Sequence, residues 1–166
     1  MTGATDRRRT AAWILILAVD TGFVAWGAMA AAAPDHLLGP GGVPILTAGY
    51  EGFTQGSWSA IASASPMTAK YLGVLFRMYG MFNVAFGLMA GAIAVTAFRR
   101  REGWAWWALL VGNVIALVSA MTYDRMVHAI GPFELSEYLG LALVLLSLAV
   151  TAPFLAKQRG ATPGVP

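Results

Sequence analysis

The sequence predicts an all-α membrane protein, a bundle of four transmembrane helices with a short outer-surface helix in its first loop. Three observations carry this. Of 166 residues, 58% are hydrophobic and only 11% charged, far from the balance of a soluble domain. Four apolar runs are long enough to cross a hydrocarbon core of about 30 Å, which takes roughly 20 helical residues. The basic residues gather in short clusters beside those runs, an arrangement that orients a chain in a membrane and forms no nucleic-acid-binding face, despite a net charge of +3. Without cysteine there is no disulfide, thiolate nucleophile or Cys-ligated metal, which excludes thiol-dependent membrane oxidoreductases.

The first span is expected over residues 11–33. Arg7, Arg8 and Arg9 precede it and small residues end it, which resembles a secretory signal, but its length and the aspartate at position 20 predict a retained first helix. Residues 34–70 form the one sizeable connection. Gly39, Pro40, Gly41, Gly42 and Pro44 mark its first part as loop, whereas Ser57–Ser65, with Trp58 and Ile61 among serines, suits a helix on the outer membrane surface. Ser65–Pro66 then starts a second span over 66–98, an N-cap followed by proline at the first helical position. The third span is expected over 104–123. Gly131–Pro132 opens the fourth, over 132–155, and the Gly- and Pro-rich tail 160–166 is expected to be disordered beyond a single membrane domain, 1–159.

Orientation follows from the clusters Arg7–Arg9, Arg99–Arg101 and Lys157 with Arg159, all on one side of a four-span chain. That side is predicted to be the cytoplasm, with both termini in it and the chain in a bacterial inner membrane. The opposite side leans acidic through Asp35, Glu51, Asp124, Glu134 and Glu137, against Lys70 and Arg125.

Polar residues define a seam through the bundle. On the second span Gly73, Arg77, Gly80, Gly87 and Gly91 recur at three-, four- and seven-residue steps, and Gly87–Gly91 is a GxxxG pair, so this face is expected to pack on a neighbouring helix. Asp20, Asn113, Asp124 and Glu137 fall on the corresponding stripes of the other spans. At 1.5 Å per residue, Asp20, Asn83 and Asn113 share a level near the midplane. A charge there costs roughly 2.5–3.5 kcal/mol. Arg77 is therefore expected to point inward and pair with Asp20, Asp124 or Glu137. A structural ion pair, interhelical amide hydrogen bonds and dipole-complementing carboxylates account for the same residues without any ligand. His36 and His128, both external, offer two imidazoles for a haem or another pigment, but no carboxylate supports them.

Gly49–Tyr50, Gly56–Ser57–Trp58, Pro66, Phe76–Arg77–Met78–Tyr79–Gly80 and the basic turn Phe98–Arg99–Arg100–Arg101–Glu102–Gly103–Trp104–Ala105–Trp106 resemble uncharacterised bacterial four-helix membrane proteins near the DoxX-like and related domain-of-unknown-function families. The resemblance spans residues 49–107. It implies a four-helix fold and transfers no catalytic residue. Two functions follow as expectations: a non-catalytic accessory or scaffolding subunit packed against larger membrane proteins, and, as the alternative, an enzyme or carrier binding a lipid or quinone head group in an outward-facing polar pocket. No nucleophile–base pair or metal-ligand set is visible in the sequence, which favours the first, and no cofactor is called for beyond a lipid, quinone or pigment.

Overall fold

The computed structural model describes residues 2–128 and 132–159, all of whose regular structure is helical. Helix α1 runs over Thr2–Ala32, α2 over Ile45–Thr54, α3 over Trp58–Ala64, α4 over Pro66–Ile93, α5 over Gly103–Met126 and α6 over Pro132–Arg159. Four stretches are long and apolar enough to cross a membrane: Arg7–Ala32, Pro66–Phe98, Gly103–Met126 and Leu135–Ala152. The Gly131 turn and the tail 160–166 lie outside the described residues. Below, the end of the bundle bearing the arginine clusters is the basic end, and the opposite one, bearing α2 and α3, is the loop end.

The helices alternate in direction, and α1 is the organising element because it packs against both α4 and α6. Its contact with α4 is the most extensive in the molecule. Glycines permit it: a Cβ on Gly27 would lie 2.5 Å from the Gly80 carbonyl oxygen, and one on Gly87 would lie 2.5 Å from the Asp20 carbonyl oxygen. The backbones therefore touch at points seven residues apart on α4, where any side chain would force them apart. Gly91 meets Leu17 at ordinary van der Waals distance, and nothing approaches Gly73, so the predicted packing face ends at Gly80.

At the basic end α4 closes with a π turn over Ala94–Phe98, which buries Ala94, Ala97 and Phe98 in a core with Ile16, Ala90, Ala105, Leu109, Val144 and Leu148. Arg99 lies over the Trp13 ring, 5.5 Å from its centroid, tying the basic turn to α1. Trp106 donates from Nε1 to the Leu148 carbonyl at 3.0 Å, so this ring locks α5 to α6 besides marking an interface. Here all four helices are in contact.

The loop end departs from the sequence reading. Residues 45–54, expected as loop, form α2. The turn before it, with Gly41 and Gly42 at φ 74 and 76, reverses the chain, and Gly39 N–H bonds the Val43 carbonyl at 2.7 Å. Ile45, Leu46, Ala48 and Gly49 then fall on one face of a single helical stretch, which gives α2 an apolar side to lay on the bundle. It docks on the end of α5, where Cβ atoms on Gly49 and Gly52 would meet the Tyr123 hydroxyl and the Val127 carbonyl. Glu51 Oε1 accepts from Trp58 N–H at 2.8 Å and Tyr50 packs edge-on against Trp58, fixing the corner between α2 and the expected surface helix α3. Ser65 precedes α4 as expected, but its hydroxyl pairs with that of Thr68 at 2.7 Å and caps no backbone N–H.

Candidate functional site

The polar residues picked out by the sequence do not form one seam. They separate into a buried pair, a cavity lining and a helix cap. Asp20 and Asn113 make the pair, each with no exposed surface. The Asn113 amide faces Asp20 and donates from Nδ2 to the Leu109 carbonyl at 3.1 Å, but neither carboxylate oxygen of Asp20 meets a partner in hydrogen-bond geometry. Gly91 of α4 lies beside Asp20, and Ile16, Leu109 and Val144 are buried in the adjoining core.

Arg77 corrects a sequence expectation. Its side chain is exposed, and Nη1 donates to the Ala31 and Ala32 carbonyls at 2.7 and 3.1 Å. It caps the C-terminus of α1, where unsatisfied carbonyls and the negative end of the helix dipole attract a cation. It bonds none of Asp20, Asp124 and Glu137. Axial depth put Arg77 near the level of the acids, but the nearest acceptors at that level are the frayed carbonyls of the adjoining helix, and they need no second buried charge.

Asn83 also sits elsewhere than expected. It lies against Gly27, on the loop-end side of the Gly87–Asp20 crossing, and its Nδ2 donates to the Tyr79 carbonyl at 3.0 Å. There it lines a cavity together with Glu137, and Asp124 lines the adjoining one. Between Phe86–Gly112, where α4 and α5 touch, and the roof made by α2, those two helices diverge.

Two adjoining cavities, the two lobes of the site, lie here. One, of about 360 Å³, lies under α2 and is walled by Leu72, Leu75, Phe76, Ser119, Tyr123 and Asp124 among others. The second, of about 430 Å³, lies between α1 and α6, walled by Val19, Gly22, Phe23, Asn83, Leu139 and Leu143. Trp26, Tyr79, Ala120 and Glu137 line both and divide them. Each volume is within the range of small-molecule sites. Ala18, Gly22 and Leu139 on the rim of the second lobe are exposed, so it opens sideways, toward the surface that lipid would cover.

The walls are mostly aliphatic and aromatic; of the polar side chains, Tyr79 and Glu137 line both lobes, Tyr123 and Asp124 the first and Asn83 the second. Trp26 packs edge-on against Phe76 and Tyr79, with centroids 6.1 and 5.5 Å apart. The Tyr79 hydroxyl is flanked by the Asn83 side chain and lies in the field of Glu137 and Asp124. Tyr123 stands beside Asp124 and reaches up to α2. Trp26, Tyr79 and Tyr123 were missed from the sequence because aromatic residues in apolar helices usually face lipid. The available signal was Tyr79 four residues before Asn83, which places both on one helix face.

His36 and His128 are both exposed, in the turns after α1 and α5, and no group of three metal-ligating side chains forms among the described residues. No family model, curated protein or solved structure matches the chain.

Proposed function

We propose that this chain is an amphiphile-binding protein of a bacterial inner membrane, which holds the apolar part of its ligand in the two-lobed cavity and the head group among Tyr79, Asn83, Tyr123, Asp124 and Glu137. The two-lobed cavity carries the proposal. A space that is mostly apolar, open sideways at one lobe and bordered by a few polar side chains suits a molecule with a long apolar body and a compact polar head. This develops the carrier reading of the sequence. The accessory-subunit reading, favoured in the sequence by the lack of a nucleophile–base pair or metal-ligand set, gives no role to the cavity or to the unpartnered Asp20 oxygens. The basic end is proposed to face the cytoplasm, and the DoxX-like resemblance adds no chemistry to this assignment.

Ala120 supplies the test because it is a small residue that lines both lobes. Ala120→Phe should fill the space where they meet. Native mass spectrometry of the wild-type protein, extracted from its membrane in an uncharged detergent, should show a retained amphiphile that the variant lacks at an unchanged helix content. Equal retention by the variant, or a wild-type protein that carries only protein partners and no amphiphile, would overturn the proposal.

A further inference from the structure

The fold brings two arginine clusters of the basic end together. Arg7, Arg8 and Arg9 stand near the start of α1, and Arg99, Arg100 and Arg101 form the turn after α4. Helix α1 packs on the π turn that leads into the second cluster, and the Arg99 guanidinium lies 5.5 Å from the centre of the Trp13 ring. Arg9 is one helical turn before Trp13, so it falls on the face of α1 that Arg99 approaches. The acids beside these arginines in the chain are Asp6 and Glu102. Glu102 is engaged within its own turn, where Oε1 pairs with Arg100 Nε at 3.0 Å and Oε2 accepts from Trp104 Nε1 at 2.6 Å. Arg7, Arg8, Arg99 and Arg100 are all exposed. Arg101 takes the left-handed conformation, φ 69, at the end of a helical segment, where glycine is the usual residue. The chain carries a further positive charge there at a conformational cost. Trp104 and Trp107, both more than half exposed, follow the turn, at a place where indole rings mark the level of lipid head groups.

We infer that this cluster binds an anionic phospholipid, holding its phosphate between the start of α1 and the turn after α4 while the acyl chains lie along the apolar bundle. Guanidinium and phosphate match in geometry, because the planar fork of N–H donors bonds two oxygens at once. Arginines contributed by two helices surround a head group better than one exposed run does, and basic clusters beside a membrane helix attract anionic lipid. The exposed indoles and the apolar helix surface beyond them add contacts that a lipid uses and a free phosphate does not. This site lies at the opposite end of the bundle from the roof of the two-lobed cavity and does not depend on an occupant there.

The test titrates the full-length protein, in an uncharged detergent, with phosphatidylglycerol and phosphatidylcholine of the same acyl chains, and with glycerol 3-phosphate as a soluble competitor. Phosphatidylglycerol should bind at least about tenfold more tightly than phosphatidylcholine, since one basic residue at a charged lipid surface supplies roughly fivefold. Glycerol 3-phosphate at the same concentration should leave that binding unchanged. The double variant Arg99→Gln, Arg100→Gln should cut the preference by at least about fivefold. Lys70→Gln, exposed at the loop end, should not alter it. Equal binding of the two lipids by the wild-type protein overturns the site. An equal loss in the Lys70 variant also overturns it, because the net charge of the chain would then be the cause. Competition by glycerol 3-phosphate as effective as that of the lipid itself would identify an anion site in which lipid has no part, and would overturn the choice of ligand. Should the double variant lose its helix content, Arg100→Gln alone, with a side chain 71% exposed, takes its place, and an undiminished preference there overturns the assignment to this turn.

Discussion

Arg77 and Asp20 show how an ionisable side chain inside an apolar chain is accommodated in two different ways. The guanidinium of Arg77 satisfies itself on the Ala31 and Ala32 carbonyls, a charge-assisted cap that complements the dipole of α1. Asp20 is enclosed with Asn113 as its polar neighbour and Gly87 and Gly91 of α4 beside it. Because the two side chains do not touch, their substitutions should act independently. Arg77→Met is expected to cost about 1.5–3 kcal/mol, the usual size of a hydrogen bond to a charged group. Asp20→Asn keeps the shape of the side chain and replaces an enclosed carboxyl without a partner by a neutral amide, and is expected to be neutral or stabilising. In a double-mutant cycle read by thermal melting in detergent, the coupling should be below about 0.5 kcal/mol. A coupling near 2 kcal/mol would restore the ion pair expected from the sequence. The sequence revealed that both residues needed compensation but not by what, since helical spacing fixes face and depth while the position of a neighbouring helix's end depends on tertiary packing.

Among the elements, the α1–α4 pair is the most legible in the sequence and α2 the least. Glycines at positions 80 and 87, one heptad apart, face Gly27 and the Asp20–Val24 segment of α1, so the small-residue stripe of the sequence coincides with the α1 contact over that length. It failed at Gly73, near the loop end, where nothing lies within 4 Å of a Cβ. The two classes of glycine should respond in opposite directions. Gly80→Ala and Gly87→Ala should each destabilise by about 1–3 kcal/mol through overpacking. Gly73→Ala should be neutral or stabilise by up to about 1 kcal/mol, because alanine is the better helix former and meets no obstacle. Melting temperatures of the three single variants check this, and a loss at Gly73 equal to that at Gly87 would refute the assignment. Helix α2 was hidden by the Gly–Pro signals ahead of it. Breakers at 39–44 were read as continuing loop, although Ile45, Leu46, Ala48 and Gly49 lie on one face of a helix too short to stand out by hydrophobicity. The cavity was equally invisible, since it depends on two helices diverging beneath that roof.

On the scale of the whole molecule, the four spans were legible because lipid leaves few alternatives to long helices, and their charges set a direction. The basic end holds Arg7, Arg8 and Arg9 before the first span and Arg99, Arg100 and Arg101 between the second and third. The loop end holds the acids of the cavity. Translocating the arginine clusters would be costly and against the bias that places lysine and arginine on the cytoplasmic side, whereas carboxylates contribute little to that bias. The cavity is therefore expected in the outer half of the membrane, open to the outer leaflet. Because the chain has no cysteine, single-cysteine variants report this directly. Ser63→Cys, exposed on α3, should react with a membrane-impermeant maleimide on intact cells. Arg100→Cys, exposed in the basic turn, should react only after the membrane is permeabilised. The opposite pattern would invert the chain, place the cavity in the cytoplasmic leaflet and require its ligand to be drawn from that side.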